Sequence, residues 1–163
     1  MNVILCGMMG CGKSTVGKAL AETLGAIHCD TDALITKTHG EISTIFQRDG
    51  EARFRELERE TVCGLSGQDG LVVSTGGGLV LQQENVAMLK KGGKIVYLRA
   101  RLETLKMRLR GDTQRPLLKE QGALERLLEN RAPIYESVAD LVVDVDEKTP
   151  KEIVAEIVAM LQN

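Results

Sequence analysis

The residues with the clearest chemical signal lie close to the N-terminus. The segment Gly7-Met8-Met9-Gly10-Cys11-Gly12-Lys13-Ser14 fits the pattern G-x-x-x-x-G-K-S. Glycines in such a loop let backbone N–H groups surround phosphates, the lysine reaches the outer phosphates, and the serine hydroxyl is placed to bind Mg²⁺. The segment lies between an apolar run, Val3 to Cys6, and an amphipathic stretch, Thr15 to Leu24, as this loop requires. We therefore predict a nucleotide site formed by Gly7, Gly10, Cys11, Gly12, Lys13, Ser14 and Thr15.

Two carboxylates follow a second apolar run. Asp30 and Asp32 come directly after Ala26 to Cys29, and ligands of open α/β sheets bind at the carboxyl ends of strands. A structural role is also expected, because Asp30 or Thr31 is suited to cap the N-terminus of a helix over residues 33–38. The pair further offers a water-mediated contact to Mg²⁺ and a group that accepts a proton from a substrate hydroxyl.

Three consecutive glycines, Gly76, Gly77 and Gly78, follow a third apolar run. Such a run is costly in backbone entropy, and it exposes main-chain N–H groups for close approach to a ligand. The alternative interpretation is a flexible turn. The position after a strand favours a binding-site floor lined by backbone.

Three arginines could hold anionic groups. Arg55 lies in a charged helix, where the default interpretation is a set of solvated i,i+4 ion pairs with its neighbours. Arg115 and Arg131 each lie near a proline, which makes a position on a helix face a poorer explanation for them. An arginine on a loop can neutralise a transferring phosphoryl group, and a fixed arginine can hold a carboxylate in a bidentate fork.

These side chains need a scaffold that brings strand ends together. The apolar runs are continuous rather than alternating, which predicts five strands buried on both faces, with the last two at Ile95 to Leu98 and Leu141 to Val145. Helical patterns lie between them, and the last runs from Pro150 to Leu161. An α/β fold with a mainly parallel sheet follows. The segment from Arg110 to Gly122 contains two glycines and a proline, and we predict a functional loop there.

Composition excludes several classes of protein. The 163 residues suit a single domain, 1–163, and a net charge of −2 with only 2% aromatic residues disfavours a nucleic-acid binder. Nothing approaches the length of a membrane span. The cysteines Cys6, Cys11, Cys29 and Cys63 contain no C-x-x-C pair, so we expect free thiols and a cytoplasmic protein.

Taken in order, these motifs resemble those of the shikimate kinase family along essentially the whole chain. The resemblance rests on the segments 7–15, Asp30-Thr31-Asp32, Phe54-Arg55, Gly76-Gly77-Gly78, Gln114-Arg115-Pro116-Leu117-Leu118, Arg131-Ala132-Pro133-Ile134-Tyr135 and Thr149-Pro150. It implies a three-layer P-loop kinase fold with a five-stranded parallel sheet, substrate-binding helices at about 31–65 and a mobile lid at about 110–122. The implied activity is ATP-dependent phosphorylation of the 3-hydroxyl of shikimate, on the route to chorismate and aromatic amino acids, by a monomer.

The resemblance also implies roles for individual residues. Lys13, Asp32 and Arg115 would be catalytic, with Asp32 as the base. Mg²⁺ would be bound directly by Ser14 and through water by Asp30. The acceptor would be held by Asp32, Arg55, Gly76, Gly77, Gly78 and Arg131, between apolar walls from Phe46 and Phe54. ATP would also contact Arg108, Arg115 and Pro150, although the sequence leaves open whether Arg108 or Arg110 stacks on the adenine.

Two other functions fit parts of the pattern. A P-loop kinase of another polyol acid, such as gluconate, also needs an arginine for a carboxylate and an acidic residue near a hydroxyl. A nucleotide-binding regulatory module without catalytic activity would keep the loop at 7–14, but it would not need Asp32, Arg55, Arg115 and Arg131.

Overall fold

The computed structural model describes residues 1–110 and 122–163. Five strands are present in this part of the chain: β1 (Asn2–Cys6), β2 (Ile27–Asp30), β3 (Leu71–Ser74), β4 (Gly93–Arg99) and β5 (Leu141–Asp144). Eight α-helices accompany them: α1 (Lys13–Leu24), α2 (Thr31–His39), α3 (Ile42–Asp49), α4 (Glu51–Ser66), α5 (Gln83–Gly92), α6 (Leu102–Leu109), α7 (Ala123–Val138) and α8 (Pro150–Leu161). No helix among the described residues is long and apolar enough to cross a membrane.

The five strands form one parallel sheet, as predicted, and their order in the sheet is β2-β3-β1-β4-β5. Ile4 of the central strand β1 is in register with Val73 on one side and Ile95 on the other. The chain therefore leaves β1 at the point where the strand order reverses. Open α/β sheets bind ligands at this point, and the glycine-rich loop begins there.

The predicted burial of all five strands on both faces is wrong for the two edge strands. Strands β1 and β3 are buried along their whole length, and β4 is buried from Ile95 to Leu98. Strands β2 and β5 are partly exposed, and Ile27 keeps 67% of its surface accessible. An edge strand has a neighbour on one side only, and a short apolar run does not report which strands will lie at the edges.

The predicted helices form with small shifts at their ends. Helix α1 begins at Lys13, two residues earlier than predicted, and ends at Gly25, which adopts the left-handed conformation. Helix α8 has the predicted bounds, because Pro150 occupies its first turn and Thr149 and Glu152 form a capping box. Helices α1 and α8 pack against each other and contact the sheet. Helices α5 and α7 each contact β4.

Helices α2, α3 and α4 carry a small apolar cluster of their own. It is formed by Ile35, Ile45, Phe54 and Leu57, and it is separate from the main core around the sheet. These helices coincide with the segment at about 31–65 where substrate-binding helices are predicted. Most of the predicted lid at 110–122, including Arg115, lies outside the described residues.

Candidate active site

The glycine-rich loop bends as its residue types predict. Gly7, Gly10 and Gly12 have φ angles of 145°, 84° and 98°, which side chains strongly disfavour. The Nζ atom of Lys13 donates hydrogen bonds to the carbonyl oxygens of Gly7, at 2.6 Å, and Met8, at 3.0 Å. The loop thus holds the ammonium group of Lys13 at a turn whose backbone conformation only glycine readily adopts.

Ser14 and Asp30 meet at the carboxyl ends of β1 and β2. The Ser14 hydroxyl donates to Oδ2 of Asp30 at 2.6 Å, while Oδ1 of Asp30 accepts the N–H of Ala33 at 3.1 Å. Asp30 is therefore the cap of α2, one of the two candidates that the sequence offers, and it also faces the hydroxyl that would bind a metal. A hydroxyl and a carboxylate in contact are a donor set that fits Mg²⁺, which prefers oxygen ligands.

Each residue of the glycine run faces a different charged side chain. A Cβ atom on Gly76 would lie 2.5 Å from Oδ1 of Asp32, one on Gly77 would lie 2.9 Å from Nη1 of Arg131, and one on Gly78 would lie 2.3 Å from Nη1 of Arg55. None of the three has a positive φ angle. These three positions are glycine because a side chain there would collide with Asp32, Arg55 or Arg131. The turn itself needs no unusual backbone conformation.

Arg55 forms an i,i+4 ion pair of the predicted kind, because it donates to exposed Glu51 at 3.1 Å. It also donates to Glu58 at 2.6 Å, and the side chain of Glu58 is only 1% exposed. Burial raises the pKa of Glu58, Arg55 opposes that shift, and nearby Asp32 adds to it. A helix of alternating charges hides this pair, because only tertiary packing decides which face is buried.

Arg131 lies within a helix rather than beside its end, contrary to the prediction from Pro133. Helix α7 continues through Pro133, which only removes one backbone donor from the helix. Arg131 is 7% exposed. Its guanidinium group approaches Gly77, and the hydroxyl of Tyr135, one turn further along α7, lies beside the same residue.

The two phenylalanines predicted to wall the acceptor site lie next to each other on the cavity. The ring centroids of Phe46 and Phe54 are 5.1 Å apart, and the guanidinium carbon of Arg55 lies 5.4 Å from the centroid of Phe54. Ile42 and Ser43 of α3 line the same space, and no sequence motif pointed to them.

One cavity of about 710 Å³ joins these groups. The predicted residues that line it are Gly10, Gly12, Lys13, Ser14, Thr15, Asp30, Asp32, Phe46, Phe54, Arg55, Gly76, Gly77, Gly78, Arg108, Arg131 and Pro150. Gly7 and Cys11 do not line the cavity, and the side chain of Cys11 is fully buried. The volume lies within the range of small-molecule binding sites.

The end of the cavity beyond the loop contains Arg108 and Pro150. Nη1 of Arg108 donates to the carbonyl oxygen of Cys11 at 2.9 Å, whereas Arg110 is exposed and does not line the cavity. Lys148 also lines this end and pairs with Glu156 at 2.8 Å. Its place two residues before Pro150 is the signal that could have identified it.

Comparison with known proteins agrees with the geometry. The family model described as shikimate kinase matches residues 9–162. A shikimate kinase from Sulfurihydrogenibium sp. is 44% identical, over 99% of this chain and 98% of the relative. The solved structure of shikimate kinase from Acinetobacter baumannii in complex with shikimate has a TM-score of 0.94 and 35% identity, covering 99% of this chain and 92% of that one.

A more distant likeness concerns the fold alone. The structure of a gluconokinase from Sinorhizobium meliloti has a TM-score of 0.68 at 22% identity, with 99% of this chain and 91% of the other covered. The family model and the full-length relative, together with the arrangement of the motifs, lead to one conclusion. The chain belongs to the shikimate kinase family.

Proposed function

We propose that the cavity transfers the terminal phosphoryl group of ATP to the 3-hydroxyl of shikimate. Membership of the family makes the chain an ATP-dependent kinase that acts on shikimate. The main support for placing the reaction here is that Asp32, Arg55 and Arg131 converge on the glycine run. Lys13 and Ser14 line the same cavity.

The acceptor end of the cavity matches a hydroxylated carboxylic acid. Arg55 and Arg131 offer two guanidinium groups to the carboxylate, and each can make a paired, charge-assisted hydrogen bond. Asp32 faces the ring hydroxyls from the opposite side, and Phe46 and Phe54 cover the carbon skeleton. This distribution of charge suits an acceptor that is anionic at one end and neutral at the other.

The nucleotide end takes ATP. Backbone N–H groups of residues 10–15 surround the phosphates at the N-terminus of α1, whose dipole favours negative charge. Arg108 and Pro150 flank the adenine ring, and Arg108 is preferred to Arg110 because it alone of the two lines the cavity. We keep Arg115 as the arginine that contacts the phosphates, on the resemblance of its motif.

The chemical step needs position, charge neutralisation and a proton acceptor. Asp32 accepts the proton of the attacking hydroxyl, a role that typically contributes about 10² to 10⁴ in rate. Lys13 balances charge on the phosphoryl group as it moves. Holding both reactants in one cavity supplies the alignment, which together with charge neutralisation accounts for most of catalysis in this reaction class.

The contact between Ser14 and Asp30 supports a magnesium site. Ser14 would bind Mg²⁺ directly and Asp30 would bind one of its waters, which replaces the hydrogen bond now joining the two side chains. When bound, the ion neutralises charge on the outer phosphates. The proposed enzyme works in the cytoplasm. It is a monomer in the proposal, and light scattering of the purified protein tests this oligomeric state directly.

One assay tests the proposed reaction and its rivals together. Formation of ADP is followed with shikimate and with gluconate as acceptors, and the phosphorylated product is identified by mass spectrometry. We expect turnover with shikimate and little with gluconate. Turnover with gluconate alone would assign the chain to a different acceptor, and ATP binding without either product would favour the non-catalytic module.

A further inference from the structure

A tyrosine that takes no part in the proposed reaction lies directly behind the glycine run. Tyr135 of α7 is fully buried, and its hydroxyl donates a hydrogen bond of 2.5 Å to the carbonyl oxygen of Gly77. Arg131 approaches the same residue, because a Cβ atom added to Gly77 would lie 2.9 Å from its Nη1 atom and 3.7 Å from the Tyr135 hydroxyl. The phenol hydroxyl and an acceptor-binding arginine thus meet at the floor of the acceptor site.

The direction of this bond follows from the groups involved. A carbonyl can only accept, so the Tyr135 hydroxyl donates to Gly77. The positive charge of nearby Arg131 polarises the hydroxyl and strengthens its bond to the carbonyl. Burial raises the pKa of Tyr135 far above its ordinary value, and Arg131 opposes the shift only in part, so the hydroxyl keeps its proton.

The bond to Gly77 decides the orientation of one peptide unit. Other bonds fix the rest of the run: the N–H of Gly76 donates to Thr31 at 2.9 Å, and the carbonyls of Gly76 and Gly78 accept from Leu79 and Leu81. The carbonyl of Gly77 lacks such a local partner. Because a trans peptide is planar, holding this carbonyl points the N–H of Gly78 in the opposite direction, away from Tyr135.

The remaining donors of the run are those a ligand would use. Among residues 1–110 and 122–163, the N–H groups of Gly77 and Gly78 have no hydrogen-bond partner, and both residues line the cavity. A buried N–H without a partner is costly. The peptide held by Tyr135 therefore carries one of the two donors left for the acceptor.

The sheet holds the tyrosine ring from behind. Tyr97 of β4 is 1% exposed, and its ring centroid lies 5.1 Å from that of Tyr135. Tyr97 pairs in register with Cys6 of β1 and Val142 of β5. The ring of Tyr135 is thus packed against the buried part of an inner strand of the sheet.

We propose that Tyr135 is a positioning residue for the acceptor: it holds the Gly77–Gly78 peptide in place beside Arg131, and it touches no substrate. The proposal rests on the proposed function, because it assumes that this end of the cavity binds shikimate. It requires that loss of the hydroxyl weakens acceptor binding and leaves nucleotide binding intact.

The test is Tyr135→Phe, which removes the hydroxyl and keeps the ring packed on Tyr97. We expect the KM for shikimate to rise about tenfold, as loss of one hydrogen bond in a buried network does. The KM for ATP should stay within about twofold, since α7 supplies nothing to the nucleotide end. Tyr97→Phe is the matched control, because it removes the hydroxyl of the other ring, and its KM for shikimate should match the wild type.

A double-mutant cycle with Arg131→Lys separates positioning from general loosening of the fold. If Tyr135 and Arg131 act together at Gly77, the two substitutions together should raise the KM for shikimate by less than the product of their separate effects. An unchanged KM in Tyr135→Phe, an equal rise for both substrates, or the same rise in Tyr97→Phe overturns the proposal. Wild-type turnover with shikimate is measured first, so a failure of the proposed function is recognised independently.

Discussion

Arg55 and Glu58 form an ion pair 2.6 Å long at the acceptor end of the cavity, and the carboxylate is the buried member. Glu58 accepts from Nη1 of Arg55, whereas Glu51, which is exposed, accepts from Nη2. The second oxygen of Glu58, Oε2, is buried and has no hydrogen-bond partner among the described residues. Glu58 thus orients Arg55 from below, at the cost of burying a charge of its own.

Glu58→Gln should weaken acceptor binding. Glutamine keeps the shape of the side chain but loses the charge that holds Arg55, so the arginine can turn towards Glu51. We expect the KM for shikimate to rise about tenfold or more, as loss of a charged hydrogen bond does, and the KM for ATP to stay unchanged. Steady-state kinetics with each substrate varied provide the measurement.

Glu56→Gln is the matched control for this substitution. Glu56 lies on the same helix, is about half exposed and pairs with Arg53 at 3.1 Å, outside the cavity. Exposed pairs of this kind contribute little. If both variants raised the KM for shikimate equally, the effect would come from the net charge of α4 and not from the buried pair.

The same residue should give the stability of the protein a distinctive pH dependence. Because the pKa of Glu58 is raised by burial, the folded chain binds more protons than the unfolded chain between the ordinary pKa of 4.5 and the raised value. The contribution of this group to the free energy of unfolding is therefore greatest below pH 4.5 and decreases as the pH rises through that window.

Urea unfolding of the wild type and of Glu58→Gln from about pH 4 to about pH 8 measures this contribution. We expect the wild type to lose stability relative to the variant as the pH rises, because only the wild type releases this proton. A constant difference across the range would mean that the pKa of Glu58 is ordinary.

Gly76→Ala should abolish the acceptor site without disturbing the nucleotide end. The new methyl group would lie 2.5 Å from Asp32 and 3.2 Å from Glu58, so both carboxylates must move. Overpacking of this kind costs about 1–3 kcal/mol, and the displaced Asp32 can no longer face a hydroxyl. We expect turnover with shikimate to fall more than about tenfold, with ATP affinity by calorimetry near the wild-type value.

Gly64→Ala is the control for a glycine that needs no space. Gly64 lies in α4, and nothing lies within 4 Å of its added Cβ atom. Alanine there should stabilise the helix by about 0.5–1 kcal/mol and leave turnover unchanged. Full activity of Gly76→Ala would disprove the tight approach of Asp32.

Asp32→Asn should separate chemistry from nucleotide binding. The amide keeps nearly the same volume but cannot take a proton from the acceptor hydroxyl. We expect turnover to fall by at least about 10², while the affinity for ATP stays within a few-fold. Rapid-quench measurement of the transfer step checks that the loss lies in chemistry, and an unchanged step would remove Asp32 from the role of base.

Asp30 caps α2 and contacts Ser14, and two different substitutions can test these two roles separately. Asp30→Asn keeps an oxygen that accepts the N–H of Ala33 but removes the charge near Ser14, so stability should be preserved and more Mg²⁺ should be needed for activity. Asp30→Ala should also lose the cap, which costs about 1 kcal/mol. Thermal unfolding and a magnesium titration of the activity distinguish the effects, and equal behaviour of the two variants would contradict the division.

Much of the nucleotide end could be predicted from local sequence. The bend of the loop depends on backbone conformations that Gly7, Gly10 and Gly12 adopt easily, and such preferences belong to single residues. The bounds of α8 follow in the same way from Thr149 and Pro150. The family resemblance extended the prediction to the acceptor end and located Asp32, Arg55 and Arg131.

Local sequence by itself therefore determined the loop, the order of strands and helices, and the residues able to do chemistry, because these depend on neighbouring residues. Only the tertiary structure decided that Glu58 is buried beneath Arg55, that Tyr135 reaches Gly77, and that each glycine of the run faces one charged side chain. Gly77 and Tyr135 are 58 residues apart in the chain. Contacts of this kind are created when helices pack on the sheet, and burial and partner choice are properties of that packing rather than of any one segment.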